Sequence, residues 1–178
     1  AVDQPAEGVA IVFQHFGLLP WKTVAENVAF GLQMAGASRQ LIKERTDRYT
    51  KLVGLENFEA QYPYQLSGGM QQRVGLARAL AINPDILLMD EPFASVDAQT
   101  REVLQEELLQ LHDRERRTML FITHSIDEAI VLGDRIAVMT TRPSRVKEIL
   151  PLDFKRPRDP AAVRSHPHYA ELRNHIWN

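Results

Sequence analysis

Apolar positions along the chain follow two rhythms. Val9 to Phe13, Ile86 to Met89, Met119 to Ile122 and Ile136 to Met139 are short unbroken apolar runs. Such runs mark strands buried on both faces, and together they predict a mostly parallel sheet. Between the second and third runs a stretch opens at Asp97, a good N-cap, and carries Leu104, Leu108 and Leu111 on one helical stripe. Strand, helix and strand in that order predict a crossover. From about Thr23 to Ala81 no strand pattern occurs. Val24, Val28 and Leu32, then Leu41, Arg45, Tyr49 and Leu52, recur at helical spacing instead. The fold class expected is therefore α/β, with a helical lobe inserted in it. A Pro- and Arg-rich stretch, Pro151 to Pro160, separates a last strand, Val146 to Leu150, from a short terminal helix with Tyr169, Leu172 and Ile176 on its apolar face.

Composition narrows this picture. A chain of 178 residues suits one core, or one domain carrying a smaller lobe. Lys and Arg number 21 against 23 for Asp and Glu, a net charge of -2 that gives no electrostatic reason to expect a nucleic-acid partner. There is no cysteine, which excludes disulfides and thiolate metal sites and is compatible with a reducing compartment, the cytoplasm by default. No apolar run approaches the roughly 18 residues of a membrane span, so membrane work would need another anchor. The first residues, Ala1-Val2-Asp3, include no initiator Met, and the sequence is expected to start inside a longer parent.

Five stretches carry groups fit for chemistry. In Leu66-Ser67-Gly68-Gly69-Met70-Gln71-Gln72-Arg73 two glycines follow a Ser and open a helix whose buried stripe is Met70, Val74, Ala77 and Ala81. Exposed N–H groups, the helix dipole and the Ser67 hydroxyl form an anion site there, although a capped helix alone also explains a Ser-Gly-Gly triplet. The strand Ile86 to Met89 ends in Asp90-Glu91-Pro92. Two carboxylates stand at the end of a buried strand, where ligands of open α/β sheets gather; acidic pairs also cap helices. Asp97 follows Ser95-Val96, and Thr123-His124-Ser125 ends the third apolar run. Gln14 ends the first run and leads into Phe16, Leu18, Leu19 and Trp21, too many apolar groups for a solvated loop. His166 and His168, flanking Pro167, lack a third ligand and suit a solvated tail better than a metal.

These stretches, in this order, resemble an ABC transporter ATPase of the importer type. LSGGMQQR looks like the family's signature motif, which reaches across a dimer to the partner's ATP; the likeness implies nucleotide contact by Ser67, Gly68, Gly69 and Gln71. It implies Mg²⁺ held by Asp90, Glu91 as general base toward the attacking water, and His124 as the switch histidine at the γ-phosphate. Asp97 falls in a D-loop with Val96 where Leu is commoner; the roles open to it there are a helix cap, contact with the partner, or both. Gln14 matches the Q-loop, its amide implied as a ligand to Mg²⁺ and water, and the apolar residues beyond it match the groove for a permease's coupling helix; packing on the helical lobe is the alternative. The implied cofactors are ATP and Mg²⁺. The implied partners are a second ATPase subunit in a head-to-tail dimer, transmembrane permease subunits and, indirectly, an extracytoplasmic solute-binding protein, at the cytoplasmic face of the membrane. Gln14 to Trp21 and the tail from Arg142 to Arg158 look most like the nitrate, sulfonate and taurine branch. The expected division is 1–22 as partial catalytic core with the Q-loop, 23–81 as helical subdomain with the signature, 82–150 as catalytic core, and 151–178 as tail and helix.

One family motif is missing. A P-loop reads G-x-x-x-x-G-K-[ST] between a strand and a helix, and no Gly-Lys pair occurs in these 178 residues. Gly31 to Ser38 has the glycine interval but Ala37 in the Lys position. Thirteen residues precede Gln14, too few for a unit of about 30 residues. Two explanations stand: a truncated parent, or a degenerate relative unable to bind ATP alone. Truncation is favoured, because Gln14, Asp90, Glu91 and His124 keep the chemistry that a degenerate relative has no reason to keep. In the family the P-loop strand is central. Losing about four buried apolar side chains at roughly 1.5 to 3 kcal/mol each rivals a domain's margin of about 5 to 15 kcal/mol, so the chain alone is expected to be unstable. A non-catalytic binding module, and a soluble ATPase acting on nucleic acid or ribosomes, are the rival functions; the latter carry coiled coils or tandem domains absent from this sequence.

Overall fold

The computed structural model describes residues 8–14 and 17–177. The chain forms two compact units, Ala1–Leu104 with Arg117–Ile122, and Gln105–Arg116 with Thr123–Asn178.

The first unit is built on three parallel strands, β1 (Val9–Val12), β2 (Ile86–Asp90) and β3 (Thr118–Ile122), in spatial order β1-β2-β3. Helices α1 (Val24–Met34), α2 (Arg39–Leu52) and α3 (Gly68–Ala81) pack on one another, and α3 also packs on β1. Each helix begins where the sequence supplies a cap. Thr23 and Glu26 form a reciprocal box at α1, and the Ser38 and Ser67 hydroxyls accept the third amides of α2 and α3. The stripe residues Val24, Val28 and Leu32 are buried, as are Tyr49, Val74, Ala77 and Ala81. Helix α4 (Ala98–Glu115) connects β2 to β3 and buries Leu104, Leu108 and Leu111, which completes the expected crossover.

Period-2 alternation decides the sheet's two faces. Ala10, Val12, Leu87 and Met89 share the covered face and are buried. The other face carries Ile11, Leu88, Leu120 and Ile122, with Leu120 57% and Ile122 53% exposed. The apolar runs predict burial on both faces, and the described residues cover only one.

The fourth run also departs from expectation. In the second unit β4 (Arg135–Met139) pairs antiparallel with β5 (Val146–Pro151) as a separate two-stranded sheet. The connection, residues 140–145, closes through a bond from the Thr140 N–H to the Arg145 carbonyl at 2.8 Å. So short a link permits only an antiparallel neighbour, because a parallel one needs a crossover of a dozen residues or more. Helices α5 (Ile126–Leu132), α6 (Pro160–Ser165) and α7 (Pro167–Trp177) share one core with this hairpin. Leu109, Ile130, Val131, Ile136, Leu152, Val163 and Leu172 form the core.

The Pro- and Arg-rich stretch between β5 and α6 is an anchored segment. Arg156 bridges Asp113 and Asp134, each at 2.8 Å, and the buried Arg158 guanidinium reaches Asp134 at 3.1 Å and the Gly133 carbonyl. A buried charge is tolerated only when paired and hydrogen-bonded in this way. The rings of His166 and His168, read as part of a solvated tail, lie 5.6 and 6.3 Å from the Phe154 ring.

Candidate functional site

Parallel strands deliver their C-terminal ends on one side of a sheet. Gln14 lies two residues past β1, and Asp90 closes β2 with Glu91 immediately after it. The Gln14 amide nitrogen lies 3.4 Å from the Glu91 carboxylate, so adjacent strands bring two of the expected site residues together. His15 and Phe16 lie outside the described residues.

Glu91 adopts φ +47, a left-handed conformation that side-chain-bearing residues rarely take. Three bonds hold it there. Its N–H donates to the Ile122 carbonyl at 2.9 Å, and its own carbonyl accepts from the Ala94 N–H at 3.1 Å and from Gln72 Nε2 at 2.9 Å. The other end of the Gln72 amide, Oε1, accepts the Ser95 N–H at 2.9 Å. Phe93 and Val96 anchor the same loop in the core, Phe93 against the ring of Phe121 at 5.5 Å. Asp97 then caps α4, its carboxylate accepting the Thr100 N–H at 2.9 Å. That bond holds its carboxyl below the usual carboxylate range.

At the start of α3, Ser67 and Gly68 are exposed, while the Ser67 hydroxyl accepts the Met70 N–H at 3.3 Å. Gly69 has a packing reason to lack a side chain: a Cβ there would lie 2.8 Å from the Ser95 carbonyl oxygen. The Gln71 amide turns away from the glycine pair and donates to the carbonyls of Pro63 at 3.0 Å and Leu66 at 3.2 Å. Its place is under the turn that enters the helix.

His124 belongs to the second unit, exposed, between two residues that fix its backbone. The Thr123 hydroxyl donates to the buried Glu128 carboxylate at 2.6 Å and accepts the Ser125 N–H at 3.0 Å; the Ser125 hydroxyl accepts the Glu128 N–H at 3.3 Å. Beyond Gln14 the apolar stretch is a shaped turn. Leu18 and Leu19 are half-buried and Trp21 is 70% exposed. The fully buried Asn27 side chain accepts the Leu19 N–H at 2.9 Å and donates to the carbonyls of Leu19, Lys22 and Thr23. Arg78 donates to the Gly17 carbonyl at 2.8 Å.

Gln72 and Asn27 organise these loops and escape a reading from sequence. Gln72 stands in the octet beside a second Gln, and α3 is buried nearly all round, so no polar face marks which amide turns inward. Asn27 sits one residue before Val28 on the buried side of α1, a buried polar residue that only its loop partners explain.

A parallel α/β sheet with acids at its strand ends and a glycine-opened helix beside them is consistent with a P-loop NTPase-like fold. The profile described as ABC transporter matches residues 1–94. An uncharacterized ABC transporter ATP-binding protein of Methanocaldococcus jannaschii is 50% identical over 177 residues, 99% of this chain and 65% of the relative. A taurine import ATP-binding protein of Rhizobium johnstonii is 49% identical, across 99% of this chain and 69% of its own. A nitrate import ATP-binding protein of Synechococcus elongatus is 45% identical, across 97% and 64%. Among solved structures, a dimeric ATP-binding cassette in a post-hydrolysis state, bound to ADP and Pi, superposes with a TM-score of 0.76 at 35% identity, covering 84% of this chain and 65% of that one. This chain belongs to the ABC transporter ATP-binding family. It spans about two thirds of the length of the curated relatives it matches.

Proposed function

We propose that the chain is the larger part of the ATP-hydrolysing subunit of an importer for a small anion or zwitterion of the nitrate, sulfonate or taurine kind. The observation that carries this reading is the 3.4 Å approach of Gln14 to Glu91 beside Asp90, at the ends of adjacent parallel strands. Glu91 takes the proton of the water that attacks the γ-phosphate, a step for which a carboxylate at this position is suited. Gln14, whose amide both donates and accepts, orients that water. His124 contacts the γ-phosphate from its exposed position. Ser67, Gly68 and Gly69, with the start of α3, contact the nucleotide of a second subunit, and Asp97 meets that subunit while capping α4. Gln71 supports the same contact from the turn beneath.

The residues fit Mg²⁺. Asp90 and the Gln14 amide offer hard oxygen donors near one another at the ends of adjacent strands. Mg²⁺ takes one or two carboxylates and completes its octahedron with water and phosphate oxygens. When bound, it supplies neutralisation of phosphate charge.

The cradle for the subunit's own ATP phosphates belongs, in this reading, to a segment outside these 178 residues. The open apolar face with Ile11, Leu120 and Ile122 supports that, because parallel sheets are covered on both faces. No described helix is long and apolar enough to cross a membrane. In this reading permease subunits hold the protein at the cytoplasmic face, with the turn at Leu18, Leu19 and Trp21 offered to them. Phosphate release from ATP by the full subunit with its permease in lipid vesicles tests this. Hydrolysis that stops when Mg²⁺ is chelated is expected; no hydrolysis, or hydrolysis indifferent to chelation, contradicts it.

A further inference from the structure

We propose that Gln72 is a positioning residue that locks the signature helix to Glu91. Ser67 to Gly69, facing the partner's nucleotide, and Glu91, facing this subunit's own, then move as one piece. The inference rests on the functional reading above.

Gln72 is 2% exposed, and both ends of its amide are used, Nε2 on the Glu91 carbonyl and Oε1 on the Ser95 N–H, each at 2.9 Å. A buried amide is costly unless both ends are paired; packing alone would be served by an apolar side chain. Its two partners are the ends of one short loop, and Gly69 presses on that loop from one helical turn earlier, its Cα hydrogen side facing the Ser95 carbonyl. Positions three apart on a helix share a face. The start of α3 therefore grips the loop from 91 to 95 at two points. Glu91 at φ +47 persists only because its surroundings hold it there, and Gln72 supplies one of its three backbone bonds. A displacement of α3 by a nucleotide at its start is passed to the backbone of Glu91, and the reverse holds equally.

Donor and acceptor chemistry gives the test. In Gln72→Met both bonds are lost. In Gln72→Glu the ionised carboxylate still accepts from Ser95 but faces the Glu91 carbonyl with no proton; once protonated, it can donate again. The charged groups around it, Asp90 and Glu91 at the end of β2, Arg73 on α3 and Asp97 before α4, are the same in the wild type, so the variant-to-wild-type ratio at each pH isolates the new group.

The experiment is steady-state ATP hydrolysis by the full subunit, from pH 6 to 8, with melting temperature checked for each variant. Gln72→Met is expected to lower kcat at least about tenfold with KM for ATP little changed, at every pH. Gln72→Glu is expected to approach wild type as pH falls. Hydrogen exchange in the wild type is expected to show the Ser95 amide protected, a readout that does not depend on any variant folding. Variants that keep wild-type kcat, two variants equally impaired with no pH dependence, or a freely exchanging Ser95 amide each overturn the coupling. A wild type that hydrolyses no ATP overturns instead the reading of the site on which it rests.

Discussion

Tyr169 shows how a single side chain ties the terminal helix to its unit. Its hydroxyl donates to Asp127 in α5, and burial, together with that bond to a carboxylate, pushes its pKa up from 10.0 to about 12. The raised value means that the folded state favours the neutral phenol. The stabilisation is fully present below pH 10 and is lost as pH rises toward about 12. A titration followed by phenolate absorbance should show one late step near pH 12, and Tyr169→Phe should remove it. A single transition with no late step would contradict the contact. Gly69 carries a second residue-scale prediction. Gly69→Ala drives a methyl group against the Ser95 carbonyl, where only backbone can yield, and overpacking of this kind costs about 1 to 3 kcal/mol. Chemical denaturation of the full subunit should show the loss; unchanged stability would mean that the loop moves freely. The glycine pair, the two acids and the Asp97 cap are legible in sequence because their residue types are matched to one backbone task. The inward turn of Gln72 is not, since it depends on a loop some twenty residues away.

Elements were predicted best where periodicity and a cap agree. Helices α1 to α4 each begin at a Thr, Ser or Asp that accepts an amide of the first turn. The run Ile136 to Met139 predicts a strand of the parallel sheet, whereas it forms β4 and pairs antiparallel with β5, because an apolar run reports burial and says nothing of its neighbour. The link length, visible in residues 140–145, was the signal that fixes an antiparallel pair. The turn after Gln14 has a single keystone. Asn27→Ala leaves the Leu19 N–H and the Lys22 carbonyl without their side-chain partner, and leaves the Leu19 carbonyl with the Lys22 N–H alone of its two donors. Stability should fall by about 1 to 3 kcal/mol, and protection of the Leu19 amide in hydrogen exchange should be lost first. If that amide exchanges as slowly in the variant as in the wild type, Asn27 is not what shapes the turn.

For the whole molecule, the open face of the β1-β2-β3 sheet is the dominant fact. Leu120 and Ile122 lie beside Leu88 and Ile11 on a surface that water meets directly. A contiguous apolar face on a parallel sheet attracts other copies or a missing layer. Expressed as these 178 residues alone, the protein should bind hydrophobic dyes and aggregate; a cooperative melt of monodisperse material would contradict this. Family membership and the α/β class were legible from the order of the motifs, whereas the division into two compact units was not, because it cuts through the single helix α4 at Leu104. The central claim is that Glu91 performs the hydrolytic step in a subunit that holds ATP by other means. Its most direct measurement is phosphate release by the full subunit carrying Glu91→Gln, with ATP binding measured in parallel. Turnover should fall by about 100-fold or more with nucleotide affinity retained. Turnover within a few-fold of wild type would contradict it.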